Sequence, residues 1–174
     1  MPDAEKVIRK ELLALLQGGG AHMSFDEVVA DFPPEKINAR TWATPYCAWH
    51  LVEHMRIAQW DILEFIRNPG HVSPEYPGGY RPGSSIKADA RLWRGTIKRF
   101  NADLNALQHM AQDPATALFA PIPHAPDYTI YRELLLVADH NAYHTGELAL
   151  LRQELNAWPE GMPYLTGEGH SEPI

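Results

Sequence analysis

The sequence predicts an all-α fold, a four-helix bundle with long loops and one short extra helix. Apolar residues recur at spacings of three and four along four long segments, as on the buried face of a helix. No segment shows the alternating pattern of a strand, and Pro- or Gly-rich stretches separate the segments. A length of 174 residues with 45% hydrophobic content suits one domain, residues 1–174, with a sizeable core.

The first helix is predicted from Pro2 to Gln17, because its apolar spacing ends at a run of three glycines. A short helical turn is predicted from Met23 to Asp31. Ser24 is its expected N-cap, and Glu27, three residues later, completes a capping box. This turn is expected to form a small cover over part of the bundle.

The second long helix is predicted from about Thr44 to Arg67, with Thr44 as its cap and Pro45 at the first helical position. Residues 68–85 are rich in Pro and Gly and predict a long surface loop. Loops of that length are often functional.

The third helix is predicted over about Ser85 to Gln112, and the fourth runs from Thr129 to about Asn156. Between them, the Pro-rich stretch 119–127 is expected to be extended. Residues 158–174 are expected to form an irregular C-terminal tail.

Composition excludes several classes of function. A net charge of −7 and the lack of a dense Lys/Arg run argue against a nucleic-acid partner. No apolar run is long enough for a membrane span, and the N-terminus lacks the pattern of a signal peptide, so we expect a cytoplasmic protein that binds no membrane. The single cysteine, Cys47, excludes an internal disulfide framework.

His140 and His144 have the spacing of a metal-binding pair. Residues i and i+4 of a helix lie on one face with Cβ atoms roughly 5–6 Å apart, so both rings can bind one divalent ion. The pair would then need a third ligand. Two alternatives remain: nine histidines can produce this spacing by chance, and an inward pair can instead be hydrogen-bonded to its neighbours.

The second helix supplies the candidates for a third ligand. His50 and His54 are also four residues apart, so either could face the bundle axis, and Cys47 lies one turn before His50. Cys47 is more often a small buried hydrophobic residue, and His54 beside Glu53 is equally compatible with a solvated position or with orienting another ligand.

Two separated motifs match those of a known family. Trp42 is followed eight residues later by His50, and Glu53 lies three residues beyond that histidine. The last long helix then carries His140-x-x-x-His144. In this order and position the motifs resemble those of the DinB-like superfamily of metal-dependent proteins, and the resemblance covers nearly the whole chain.

The resemblance implies a three-histidine site formed by His50, His140 and His144 that holds nickel, zinc or a similar divalent transition metal, often in a homodimer. The chain departs from the family at Thr145, where Arg is usual, and at Glu147, where Gln is usual. Both departures leave the ligands in place.

Three carboxylates are candidates to orient the ligand histidines: Glu53, Asp139 and Glu147. Glu147 lies one short turn beyond His144 and is the best placed of them for handling a proton. A solvated surface carboxylate is the alternative for Glu147.

Two functions follow from the resemblance. The first is a metal-dependent enzyme of the thiol S-transferase or thiol-dependent isomerase type, acting on a small-molecule thiol and an electrophile. The second is a non-catalytic, dimeric, stress-associated protein in which the metal is structural. Large aromatic residues offer material for a dimer interface, although a monomer could bury them: Trp49, Trp60, Trp93 and Trp158.

Overall fold

A computed structural model describes residues 4–161, and this part of the chain is all-α apart from one short hairpin. The predicted bundle of four long helices with a short extra helix is confirmed. The elements are α1 (Ala4–Gln17), α2 (Phe25–Val29), α3 (Ala48–Arg67), α4 (Ala90–Gln112), β1 (Pro121–Ile122), β2 (Ala125–Thr129) and α5 (Ile130–Glu154). The tail predicted over 158–174 lies largely in residues 162–174, outside the described residues.

Two helix starts follow the predicted capping chemistry. The Ser24 side chain accepts a hydrogen bond from the Glu27 backbone N–H, and the Glu27 carboxylate accepts one from the Ser24 backbone, so the capping box of α2 is confirmed. Thr129 caps α5 by accepting from Arg132 N–H at 3.2 Å. Both caps satisfy amide groups that the first turn of a helix leaves unpaired.

Two predicted helix starts are wrong. Helix α3 begins at Ala48 with Cys47 at the N-cap, because the Thr44 hydroxyl donates to the Tyr46 carbonyl within an irregular turn instead of capping the helix. Helix α4 begins at Ala90, where the Asp89 carboxylate accepts from Leu92 N–H at 2.7 Å. An aspartate cap outcompetes the apolar spacing that suggested an earlier start.

Helix α3 lies at the centre of the bundle, packed against α4 and α5, while α1 covers the other side of α4 and α5. Two apolar clusters fill the interior. One surrounds Phe100, Val52 and Met55, and the other surrounds Leu63, Leu107 and Leu134; the six side chains are fully buried. The bundle therefore holds α3 and α5 in fixed register where polar residues face each other between them.

One buried amide joins the three central helices. Gln59, only 1% exposed, donates from Nε2 to the Phe100 carbonyl at 2.7 Å, and its Oε1 accepts from Asn141 Nδ2 at 2.8 Å. A buried amide with both ends paired resists any shift of one helix along another, because the shift would leave polar atoms unsatisfied. Asn141 adjoins His140 in sequence, so this contact also fixes the neighbourhood of that histidine.

The stretch predicted to be extended, 119–127, overlaps a small antiparallel hairpin formed by β1 and β2. A strand of two residues has no room for an alternating pattern, which explains why the sequence did not reveal it. None of the helices in the described part of the chain is long and apolar enough to cross a membrane.

Candidate metal centre

Three histidine side chains converge between α3 and α5. His54 of α3 faces His140 and His144 of α5, and the ring atom directed at the common centre is Nε2 in each pair measured. His54 Nε2 lies 3.1 Å from His144 Nε2 and 3.3 Å from His140 Nε2. The predicted pairing of His140 with His144 on one helix face is therefore present in the structure.

These separations suit a single divalent ion. Imidazole nitrogens bind zinc at about 2.0–2.1 Å in a tetrahedron, which places neighbouring ligand atoms about 3.3 Å apart. The two distances from His54 Nε2 are close to that value, and the ligand atoms of all three histidines lie within 4.8 Å of one another. With three nitrogen ligands, one coordination position remains for water or substrate.

The hydrogen bond at the back of His54 fixes its tautomer. His54 Nδ1 lies 2.9 Å from the carbonyl oxygen of Tyr80. A carbonyl oxygen only accepts, so Nδ1 must carry the hydrogen and donate it. In the neutral ring, Nε2 then presents a lone pair to the common centre, as a metal ligand requires.

A carboxylate fixes the tautomer of His144 in the same way. Its Nδ1 lies 2.6 Å from Glu147 Oε2, and Glu147 Oε1 accepts a hydrogen bond of 3.1 Å from the Tyr46 hydroxyl. Of the three carboxylates considered from the sequence, Glu147 is therefore the one that contacts a histidine of the group. Glu53 instead pairs with Arg56 and accepts from Thr96.

Two lone pairs 3.1 Å apart repel each other unless a cation lies between them. A proton shared with His140 is disfavoured, because burial lowers the pKa of His140 to about 4, helped by the neighbouring His144 and His54. Burial also lowers the pKa of His54, against the opposing effect of its hydrogen bond to Tyr80. Both rings thus favour the neutral form that binds metal.

His50, the third ligand implied by the family resemblance, lies outside this group. Its Nε2 is 3.0 Å from the carbonyl oxygen of Ile86, in the segment before α4, and its ring packs beside Trp49. His54 is one helical turn further along α3 and is level with the two histidines of α5. The geometry therefore replaces His50 with His54 as the third member of the cluster.

The loop of residues 68–85 is fastened to α3 by a buried carboxylate. Asp61 Oδ2 accepts from the Tyr80 hydroxyl at 2.7 Å, and Asp61 Oδ1 lies 2.6 Å from His71 Nε2. Asp61 follows His54 by seven residues and so shares its face of α3. No role is expected from the sequence for Asp61, Tyr80 or His71, and the spacing of seven residues between His54 and Asp61 is the one signal that points to this contact.

A cavity of about 260 Å³ adjoins the histidines. Helix residues and loop residues both contribute to its wall. Its full lining is Pro45, Tyr46, His50, Leu51, His54, Arg81, Pro82, Ser84, Tyr143, His144 and Glu147. An ion held by the three histidines would thus lie near a space large enough for a small molecule.

The other residues considered from the sequence lie in the core or at the surface. Cys47 is a free thiol and is 1% exposed, packed in the core as a small hydrophobic residue. Asp139 lies at the surface. Trp49 and Trp93 are buried in the core, so their rings provide no dimer interface.

The chain matches the model of a known protein family. The family model of the DinB superfamily matches residues 19–148, well over half of the chain, and this range contains the three clustered histidines and Glu147. Neither the curated proteins nor the solved structures that were searched include a match.

The metal-free protein should lose stability as the pH falls from about 6.5 to about 4. Unfolded His140 binds a proton near its ordinary pKa of about 6.5, whereas folded His140 binds it only near pH 4, so protons favour the unfolded chain across that interval. Melting temperatures of the chelator-treated protein between pH 8 and pH 4 measure this loss of stability. A His140→Gln variant should show a shallower decline, and identical curves would contradict the assigned burial of His140.

Proposed function

The chain belongs to the DinB superfamily, and from that premise we propose that it is a metal-dependent enzyme in which His54, His140 and His144 bind one zinc or nickel ion. The main support for the proposal is the convergence of their Nε2 atoms. Hydrogen bonds at Nδ1 fix the tautomers of His54 and His144. Imidazole suits both metals, and the choice between them is part of what an experiment must decide.

We propose a thiol as the first substrate, in a transferase or a thiol-dependent isomerase reaction. The ion would supply a Lewis acid that lowers the pKa of the thiol. The thiol gives its proton to water or buffer, its sulfur lone pair forms a bond to an electrophilic carbon, and the leaving group departs with the electrons of its broken bond. In an isomerisation the same thiol adds and is later eliminated.

The protein's own residues hold and enclose the reactants. Tyr80 and Glu147 keep the histidine lone pairs directed at the centre, which avoids reorganisation of the site during the reaction. Glu147 has both oxygens engaged, by His144 and by Tyr46, and this supports an orienting role. Direct proton transfer by Glu147, the role expected from the sequence, stays a prediction.

The cavity supports an enzyme over a purely structural metal site. A structural ion normally has four protein ligands, whereas three histidines beside a cavity of about 260 Å³ leave room for exchange of a ligand. A non-catalytic protein, in which the metal stabilises the bundle, is the alternative that the experiments below distinguish. A homodimer also stays a prediction.

Replacing His54 by Gln should abolish stoichiometric metal binding, whereas His50→Gln should retain about one equivalent. Loss of a direct ligand should weaken binding by more than about 100-fold, the upper range for a residue that only orients a ligand. Metal content by mass spectrometry and affinity by chelator competition measure both variants. Loss of metal in His50→Gln with retention in His54→Gln would restore the ligand set implied by the family motif.

Glu147→Ala should weaken metal binding by roughly 10- to 100-fold, because His144 loses the acceptor that fixes its tautomer. Glu147→Gln retains an oxygen that can accept the same hydrogen bond and should lose less. Glu154→Ala, an exposed position on α5, is the matched control and should bind as the native protein does. Equal affinity in Glu147→Ala and the control would show that Glu147 does not orient His144.

The metal-loaded protein should catalyse thiol addition or substitution across a panel of small thiols and carbon electrophiles. Turnover should disappear on metal removal, return on reconstitution, and be absent in His54→Gln. If the protein binds metal tightly but shows no turnover, and no thiol displaces a coordinated water, the ion is structural and the non-catalytic alternative is correct.

A further inference from the structure

We propose that the cavity beside the histidines selects small molecules that carry a carboxylate, and that Arg81 is the residue that binds this group. The inference rests on the proposed function, since it names the substrate class of the same site. Three observations support it: the position of Arg81 in the loop, the lack of a partner for its guanidinium, and the composition of the cavity wall.

Hydrogen bonds connect the backbone next to Arg81 to the histidine cluster. Tyr80, the preceding residue, is held at two points, because its hydroxyl donates to Asp61 and its carbonyl accepts from His54. The Arg81 N–H also bonds to the Gly78 carbonyl, which closes a tight turn. The loop segment that fixes the His54 tautomer therefore also determines where the next side chain emerges.

Arg81 is an exposed residue of the cavity lining, and its guanidinium forms no ion pair or hydrogen bond with any residue that the structure describes. Three other arginines form ion pairs: Arg9 with Glu5, Arg56 with Glu53, and Arg67 with Glu64. A guanidinium has a planar set of donors that matches a carboxylate with two parallel hydrogen bonds. Arg81 thus has the free donors that an anionic ligand needs.

The charges around the cavity favour one anionic group at this position. Arg81 is the one Lys or Arg in the described cavity lining, and its charge acts on both His54 and Tyr46. The lining also contains an acid, Glu147, whose oxygens are occupied by the donors of His144 and Tyr46. A ligand carboxylate bound by Arg81 would therefore complete an ion pair at the cavity wall while another atom of the ligand reaches the histidines.

Two probe thiols of similar size test this inference on the cobalt-substituted protein. The probes are 3-mercaptopropionate, which is anionic, and 3-mercapto-1-propanol, which is neutral. The thiolate-to-cobalt charge-transfer band gives the dissociation constant of each without any turnover. The native protein should prefer the anionic thiol, and Arg81→Gln should reduce that preference by about tenfold, as expected for a lost hydrogen-bonded charge pair.

Three comparisons keep the result specific to Arg81. Affinity for the neutral thiol and cobalt content should be unchanged in Arg81→Gln, which shows that the loop and the metal site are intact. Arg81→Lys should recover part of the preference, because it restores the charge but not the planar donors. Arg94→Gln, an exposed arginine on α4 outside the cavity, should behave as the native protein does.

Failure of the inference and failure of the proposed function give different results. If both thiols bind but Arg81→Gln leaves their ratio unchanged, the anion site is wrong and the thiol chemistry stands. If cobalt binds but neither thiol produces a charge-transfer band, the thiol chemistry is wrong. Propionate then tests Arg81 alone: its shift of the cobalt d–d bands must disappear in Arg81→Gln, and an equal shift in both proteins would overturn the anion site.

Discussion

The crowding of three imidazole nitrogens is the constraint on which the site depends. His54 Nε2 lies 3.1 Å from His144 Nε2 and 3.3 Å from His140 Nε2, and hydrogen bonds on the far side of His54 and His144 leave their lone pairs directed inward. Such an arrangement is unfavourable in a buried setting unless a cation occupies the centre. The bundle supplies the rigidity that holds the rings together despite this repulsion.

The loop of residues 68–85 connects the scaffold to the chemistry. Asp61, on the same face of α3 as His54, anchors Tyr80, and the Tyr80 carbonyl returns to α3 to orient His54. A long irregular segment would ordinarily be a poor place for a positioning group, because its backbone is free to move. Two hydrogen bonds to one helix remove much of that freedom, and they bring Arg81 to the cavity wall as well.

The sequence was sufficient for the helices and for two of the three histidines. Periodic apolar spacing determines the four long helices, and spacing of four residues places His140 and His144 on one face. His50 and His54 have the same spacing, so the sequence leaves either able to face the axis. Which of the two joins the cluster depends on how far along its axis α3 meets α5. It also depends on which loop carbonyl contacts each ring, that of Ile86 for His50 and that of Tyr80 for His54. Both are tertiary features that periodicity does not encode.

X-ray absorption of the zinc-loaded protein tests the central claim most directly, because it counts the imidazoles bound to the ion. The structure predicts three imidazole nitrogens at about 2.0–2.1 Å, with the remaining coordination from a light atom such as a water oxygen. The His54→Gln variant should lose one imidazole from that count, and His50→Gln should lose none. A sulfur ligand from Cys47, or a native site with fewer than three imidazoles, would contradict the three-histidine centre.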